Sequence, residues 1–197
     1  KNALKIGVIG TGGMGGRHAR NLALHTASAN VVAVMDQDVE RANVVAEDCG
    51  GSTVYTDARA MIADANVDAV VIASPDSTHM ELAIACITAG KPVLCEKPLA
   101  TNVADARRVM DAEVAAGQRL VQLGFMREYD DAHYRVQEIV QGGELGRPLY
   151  FRGTHTNLSE ERPRLVEDVI INSAIHDIHS ARWLLGGNVT DVYTRYT

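Results

Sequence analysis

Lysine is scarce in this sequence: Lys1, Lys5, Lys91 and Lys97 stand against fifteen arginines. Arginine keeps its proton in a protein, whereas a lysine ammonium is tuned by burial and takes part in proton transfer. A lysine retained at position 97, just after the apolar run Val93-Leu94-Cys95, therefore points to chemistry; the competing reading is a surface lysine that follows a strand. Other absences narrow the class. No apolar stretch approaches the roughly 18 residues that span a bilayer, and Leu4 to Ile9 is strand-like, so neither membrane insertion nor export is indicated. The net charge of −6, with both signs interspersed, leaves no basic stripe for nucleic acid or an anionic membrane surface. Small-molecule partners are expected. Cys49, Cys86 and Cys95 are an odd set without CxxC spacing, which reads as free thiols in a reducing, cytoplasmic setting. Repeats and low-complexity tracts are also missing.

With 46% hydrophobic residues, the 197-residue chain has enough apolar material for a core. Short β-branched runs alternate with longer helical patterns, the signature of βαβ units and a parallel sheet. Strands are predicted at Lys5 to Ile9, Val31 to Met35, Thr53 to Tyr55, Ala69 to Ala73, Pro92 to Cys95 and Leu120 to Gly124. Helices are predicted near 14–25, 38–48, 57–64, 78–89 and 102–116. The fold class that follows is α/β, with residues 1–125 forming a doubly wound parallel sheet of Rossmann type. Residues 126–197 read differently, as a second part with fewer strands. There the pattern predicts a helix near 132–141, a strand near 148–156, a polar loop to about 168, a helix over 170–185 and a strand over 189–196. Two strands make a marginal sheet. Because the chain also begins without Met and stops on a strand pattern, a longer natural protein is expected.

Residues 6–16 read IGVIGTGGMGG and place Gly10, Gly12 and Gly15 in a G-x-G-x-x-G pattern that also spans Gly13 and Met14. The pattern follows a strand and opens a helix, and Asp36 closes the second strand, the context that makes it a dinucleotide fingerprint. The glycines permit the turn, the approach of backbone to pyrophosphate and close helix–strand packing, and the helix N-terminus faces the phosphates. Asp36 accepts from a ribose hydroxyl and repels a 2′-phosphate. Gln37 and Asp38 supply no cation, and Arg41 lies too far along for a phosphate contact. NAD is expected over NADP. Loops at the carboxyl ends of strands line the cofactor crevice, which adds Ser74, His79, Glu96 and Lys97 to the cofactor set. His79 reads as a structural or ribose-side hydrogen-bonder. The Lys97-Pro98 bond is a candidate cis peptide.

The motifs GVIGTGGMG, ASPDSTH, CEKPLA, GFMREYD and NSAIHDIHSARWLL, in this order, resemble the Gfo/Idh/MocA oxidoreductases. GFMREYD and the THTN at 154–157 resemble the inositol dehydrogenase members in particular. The resemblance implies an N-terminal Rossmann domain followed by an α+β substrate and oligomerisation domain with a large open sheet, of which residues 126–197 would be the first part and which supports a homo-oligomer. It also implies that Lys97 and His176 are the catalytic pair, with Met126, Arg127, His155 and Asn157 near the substrate. Asn172 stands where inositol dehydrogenases commonly have Asp. At i and i+4 of one helix, Asn172 and His176 would share a face.

The chemistry so implied is hydride transfer between a secondary alcohol of a cyclic polyol or sugar and the nicotinamide. His176 takes the hydroxyl proton and Lys97 stabilises the developing charge on that oxygen. His179 with Asp177 suggests a metal, but no further ligands stand at suitable spacing, so none is expected. A non-catalytic protein that senses nucleotide on the same fold is the alternative.

Overall fold

Six parallel strands carry the first of two units, Lys1–Gly124 and Phe125–Thr197, each described by itself below. The computed structural model describes residues 3–156 and 169–195. The strands are β1 (Leu4–Ile9), β2 (Ala29–Met35), β3 (Thr53–Tyr55), β4 (Ala69–Ile72), β5 (Val93–Glu96) and β6 (Val121–Gly124). Their order is β3-β2-β1-β4-β5-β6, every neighbouring pair parallel, which is the doubly wound order with its switch point between β1 and β4. Five helices cross between them: α1 (Gly13–His25), α2 (Val39–Asp48), α3 (Ala58–Ala63), α4 (His79–Thr88) and α5 (Val103–Ala116).

Local chemistry starts and stops these helices. The side chains of Asp38, Asp57 and Asn102 cap α2, α3 and α5 by accepting from backbone N–H groups of the first turn. Gly117 ends α5 in the left-handed conformation. The alternation of β1 divides its side chains between two cores. Ile6 and Val8 pack with Val31, Val34 and Val45 on one face. Ile9 packs with Met61, Ile72 and Cys95 on the other. Each fully buried aliphatic side chain contributes about 1.5–3 kcal/mol. Cys86 and Cys95 belong to this interior, and burial pushes both thiols up to about 12.

The second unit contains α6 (Asp131–Gln141), capped by Asp130, and α7 (Ile175–Leu185), stopped by left-handed Gly186. Two predicted strands are corrected here. Residues 148–156 and 189–195 form no strand, and Leu149, Tyr150, Val192 and Tyr193 are exposed. Alternation supplies an apolar face, but a strand exists only in a ladder with a neighbour, and neither segment has one among the described residues. The predicted loop over 157–168 and residue 196 lie outside the described residues. The predicted helix over 170–185 is regular only from Ile175; Ile170–Ala174 form a π-helical turn in which the Ile175 N–H reaches back to the Ile170 carbonyl. No helix among the described residues is long and apolar enough to cross a membrane.

The β1–α1 junction tolerates no side chain at two glycines. Gly10 has φ +86°, and a Cβ at Gly15 would lie 1.7 Å from the Gly10 carbonyl oxygen, whereas a Cβ at Gly12 meets nothing within 4 Å. Gly15→Ala is therefore expected to cost at least about 2 kcal/mol of unfolding free energy. Gly12→Ala should leave stability within about 0.5 kcal/mol. Equal losses in urea titrations of the two variants would contradict this packing.

Candidate functional site

Beyond the carboxyl ends of β1, β2 and β4 lies a groove of about 1160 Å³, lined by Gly10, Gly12, Asp36, Asp38, Arg41, Ser74 and Pro75 among others. The topology creates it: chains leave β1 and β4 toward opposite faces, and the loops part at the switch point. Helix α1 begins at this groove with Gly12 as its N-cap, no side-chain cap and no acidic residue in its first turn. Its leading N–H groups are left to an anionic ligand. Met14, 49% exposed, sits in that first turn beside Gly13.

Asp36 is the best-anchored polar group of the site and is only 8% exposed. Its Oδ2 accepts from the Thr11 N–H at 2.8 Å and the Thr11 hydroxyl at 2.9 Å, while Oδ1 accepts from the Asp38 N–H at 3.0 Å. Arg41 closes on the same carboxylate, with Nη2 at 2.8 Å from Oδ1 and Nε at 3.3 Å from Oδ2. Burial alone would raise the Asp36 pKa. The Arg41 guanidinium and the Thr11 and Asp38 donors outweigh it and hold the carboxyl well below the usual carboxylate range. Arg41 stands five residues after Asp36 in the first turn of α2, from which its long side chain folds back onto the carboxylate.

Two ties hold the neighbouring loops. His18 of α1 donates through Nε2 to Glu96 Oε1 at 2.7 Å, and the Lys97 N–H also bonds the Glu96 carboxylate. Burial works to raise the Glu96 pKa, but His18 and Lys97 prevail and lower it. His79, buried at the start of α4, places Nδ1 2.7 Å from the Pro98 carbonyl and Nε2 2.9 Å from the Ser74 carbonyl. Of the two readings of this ring, structural or ribose-side, the structural one matches: both nitrogens are engaged with backbone and the ring lies inside the protein, which takes His79 out of the cofactor set. The Ser74 hydroxyl bonds Thr78 at 2.7 Å. The Lys97-Pro98 peptide is cis.

Of the cofactor set, Gly10, Gly12, Asp36 and Ser74 line one groove, while Glu96 ends β5, the next strand along, Lys97 follows it, and neither lines the groove. Sequence reasoning missed His18 and set Arg41 aside. A helical His facing the glutamate of CEKPLA is the one signal by which the first could have been found.

In the second unit, Arg127 Nη1 donates to the His176 carbonyl at 3.2 Å, to Asp177 Oδ1 at 2.8 Å and to the Ser180 hydroxyl at 2.9 Å. His155 Nδ1 meets the other oxygen of Asp177 at 2.8 Å. Burial works to raise the Asp177 pKa, but Arg127 and His155 prevail and lower it. His179 stacks on Phe125 at a centroid distance of 3.7 Å and contacts Glu128 at 2.7 Å. Asp177 and His179 are thus drawn to different partners. Met126 is 69% exposed in a 3₁₀ turn. Asn172 lies in the π-helical turn and His176 in the first turn of α7, so the segment that joins them is not regular α-helix throughout. Such turns recur at functional sites. Asn157 lies outside the described residues.

Fold and groove together define a dinucleotide-binding α/β protein. The family model described as "Oxidoreductase family, NAD-binding Rossmann fold" matches residues 4–125, and a GFO/IDH/MocA C-terminal domain model matches residues 133–197. The chain belongs to the Gfo/Idh/MocA oxidoreductase family. It is 50% identical over 192 residues to inositol 2-dehydrogenase of Rubrobacter xylanophilus, covering 98% of this chain and 55% of that protein. Inositol 2-dehydrogenase 2 of Saccharopolyspora erythraea is 45% identical, with 94% of this chain and 55% of that protein covered. Among solved structures, myo-inositol dehydrogenase of Lactobacillus casei in complex with NAD(H) and myo-inositol superposes with a TM-score of 0.81 at 33% identity, over 93% of this chain and 55% of that one. The chain thus spans about half the length of the curated relatives it matches.

A carboxylate whose native pKa lies below its unfolded value of about 3.9 adds stability that is fully present above that pH and is lost as the pH falls toward the native pKa. Asp36→Asn is therefore expected to lose about 2 kcal/mol in ligand-free denaturation at pH 7. That deficit should shrink as the pH drops below about 4. A deficit independent of pH would contradict the network.

Proposed function

We propose that the chain holds the cofactor domain and part of the substrate domain of an NAD-dependent dehydrogenase acting on a secondary alcohol of an inositol-like cyclic polyol or sugar. The observation that carries the reading is the uncapped start of α1 at Gly12 beside the buried Asp36 carboxylate in one groove. The residues fit the group: the N–H groups of the first turn of α1 meet the pyrophosphate, the open side of Gly12 admits it, and Asp36 accepts from the adenosine ribose. The nicotinamide, when bound, supplies the hydride acceptor.

The rest is done by side chains. Lys97, set by β5 and by the Glu96 contact to its own N–H, donates to the substrate oxygen and stabilises the charge that develops there. His176 accepts the hydroxyl proton. Lys97 belongs to the first unit and His176 to the second, and each role is proposed for its residue separately. Met126, Arg127, His155, Asn157 and Asn172 are proposed on the substrate side, where the Asp177 tie gives Arg127 and His155 a positioning part. Asn172 keeps a carbonyl acceptor and adds an amide donor for substrate hydroxyls. A homo-oligomer and a cytoplasmic location complete the reading.

The test is the appearance of NADH when a protein containing residues 1–197 is given NAD and a panel of inositols and sugars. Turnover with at least one cyclic polyol is expected, whereas NAD binding without turnover on any panel member favours a nucleotide sensor. Lys97→Met should cut kcat by about a hundredfold or more while leaving the Kd for NAD nearly unchanged. Retained turnover in that variant would remove Lys97 from the chemistry.

A further inference from the structure

Asp36 has more donors than a ribose leaves room for. A carboxylate offers about four lone-pair sites. Here the Thr11 N–H, the Thr11 hydroxyl and Arg41 Nε converge on Oδ2, and the Asp38 N–H and Arg41 Nη2 on Oδ1. The Thr11 and Asp38 donors belong to the strand-end backbone and to a buried threonine. Arg41 alone among these partners rides on a long, half-exposed side chain, 47% accessible against 11% for Asp36. Its third arm, Nη1, is held by Asp38 Oδ2 at 2.9 Å. For a ribose diol to bond Asp36, the guanidinium has to leave.

We propose that Arg41 is a movable counter-ion that sets cofactor selectivity. Seated on Asp36 it competes with the ribose hydroxyls; displaced, it stays at the rim of the same groove and offers a cation to a 2′-phosphate. Asp36 then discriminates against the 2′-phosphorylated cofactor less sharply than its own charge would dictate, because part of that charge is neutralised by a residue that the phosphate can recruit. Asp38 sets the balance from the other side, since its grip on Nη1 holds Arg41 away from the phosphate.

The inference rests on the dinucleotide reading of the groove. Its test is the ratio of Kd values for NADH and NADPH, measured by calorimetric titration of the 197-residue chain. Arg41→Ala is expected to lower the Kd for NADH by about two- to fivefold, the range an exposed ion pair supports, and to raise the Kd for NADPH, so the preference for NADH widens. Asp38→Asn keeps a capping acceptor for α2 but loosens Arg41, and the preference should narrow. An unchanged NADH-to-NADPH ratio in both variants overturns the proposal, as does weaker NADH binding in Arg41→Ala. Failure of the unmutated chain to bind NADH is a different outcome, which removes the dinucleotide reading and this inference with it.

Discussion

The carboxylate of Asp36, the residue that follows β2, ties the loop after β1 through Thr11 to the start of α2 through Asp38 and Arg41. The tie works because the glycine loop runs so close to the sheet. Gly10 turns with a positive φ, and Gly15 packs where a methyl group would overlap the Gly10 carbonyl. That closeness brings the Thr11 donors within reach of a charge lodged at the end of the second strand. It also leaves the start of α1 free of any capping side chain. One end of the groove thus offers N–H donors and the other a fixed acceptor, the polarity a dinucleotide requires.

Farther along the sheet, two histidines do for β4 and β5 what Asp36 does for β1 and β2. His79 joins the Ser74 and Pro98 carbonyls, so the loops that follow two adjacent strands are linked through one buried ring. His18 reaches from α1 to Glu96 and restrains the residue immediately before Lys97. Neither tie needs to touch a ligand to matter. Catalytic groups act well when their own positions are fixed in advance, and backbone contacts made by buried side chains supply that fixity. The same logic governs the second unit, where Arg127 binds one turn of α7 through three acceptors and Asp177 holds His155.

The doubly wound sheet was legible because β-branched runs and amphipathic segments alternate without interruption from Leu4 to Gly124, and the glycine loop falls where a strand gives way to a helix. The site was legible where it depends on backbone position, as at Gly10, Gly12, Asp36 and Ser74. It was not legible where a side chain decides which of two neighbours it meets. Arg41 folds back along the helix it belongs to, His79 turns inward although its motif lies at a loop, and His18 pairs with a residue 78 positions away. The π-helical turn at Ile170–Ala174 leaves no mark in apolar periodicity. The alternating segments near 150 and 190 show the converse, since their pattern is that of strands but pairing is a property of a neighbour that periodicity does not report.

The central claim is that the groove beyond β1, β2 and β4 is where the dinucleotide binds, with Asp36 at its ribose end. Backbone amide shifts followed during a titration of NAD into labelled protein test this most directly. The account predicts that the largest changes fall on Gly10, Thr11, Gly12, Asp36 and Ser74, in fast or slow exchange according to affinity. Saturable NAD binding that leaves these amides unmoved, with the changes clustered elsewhere, would contradict it.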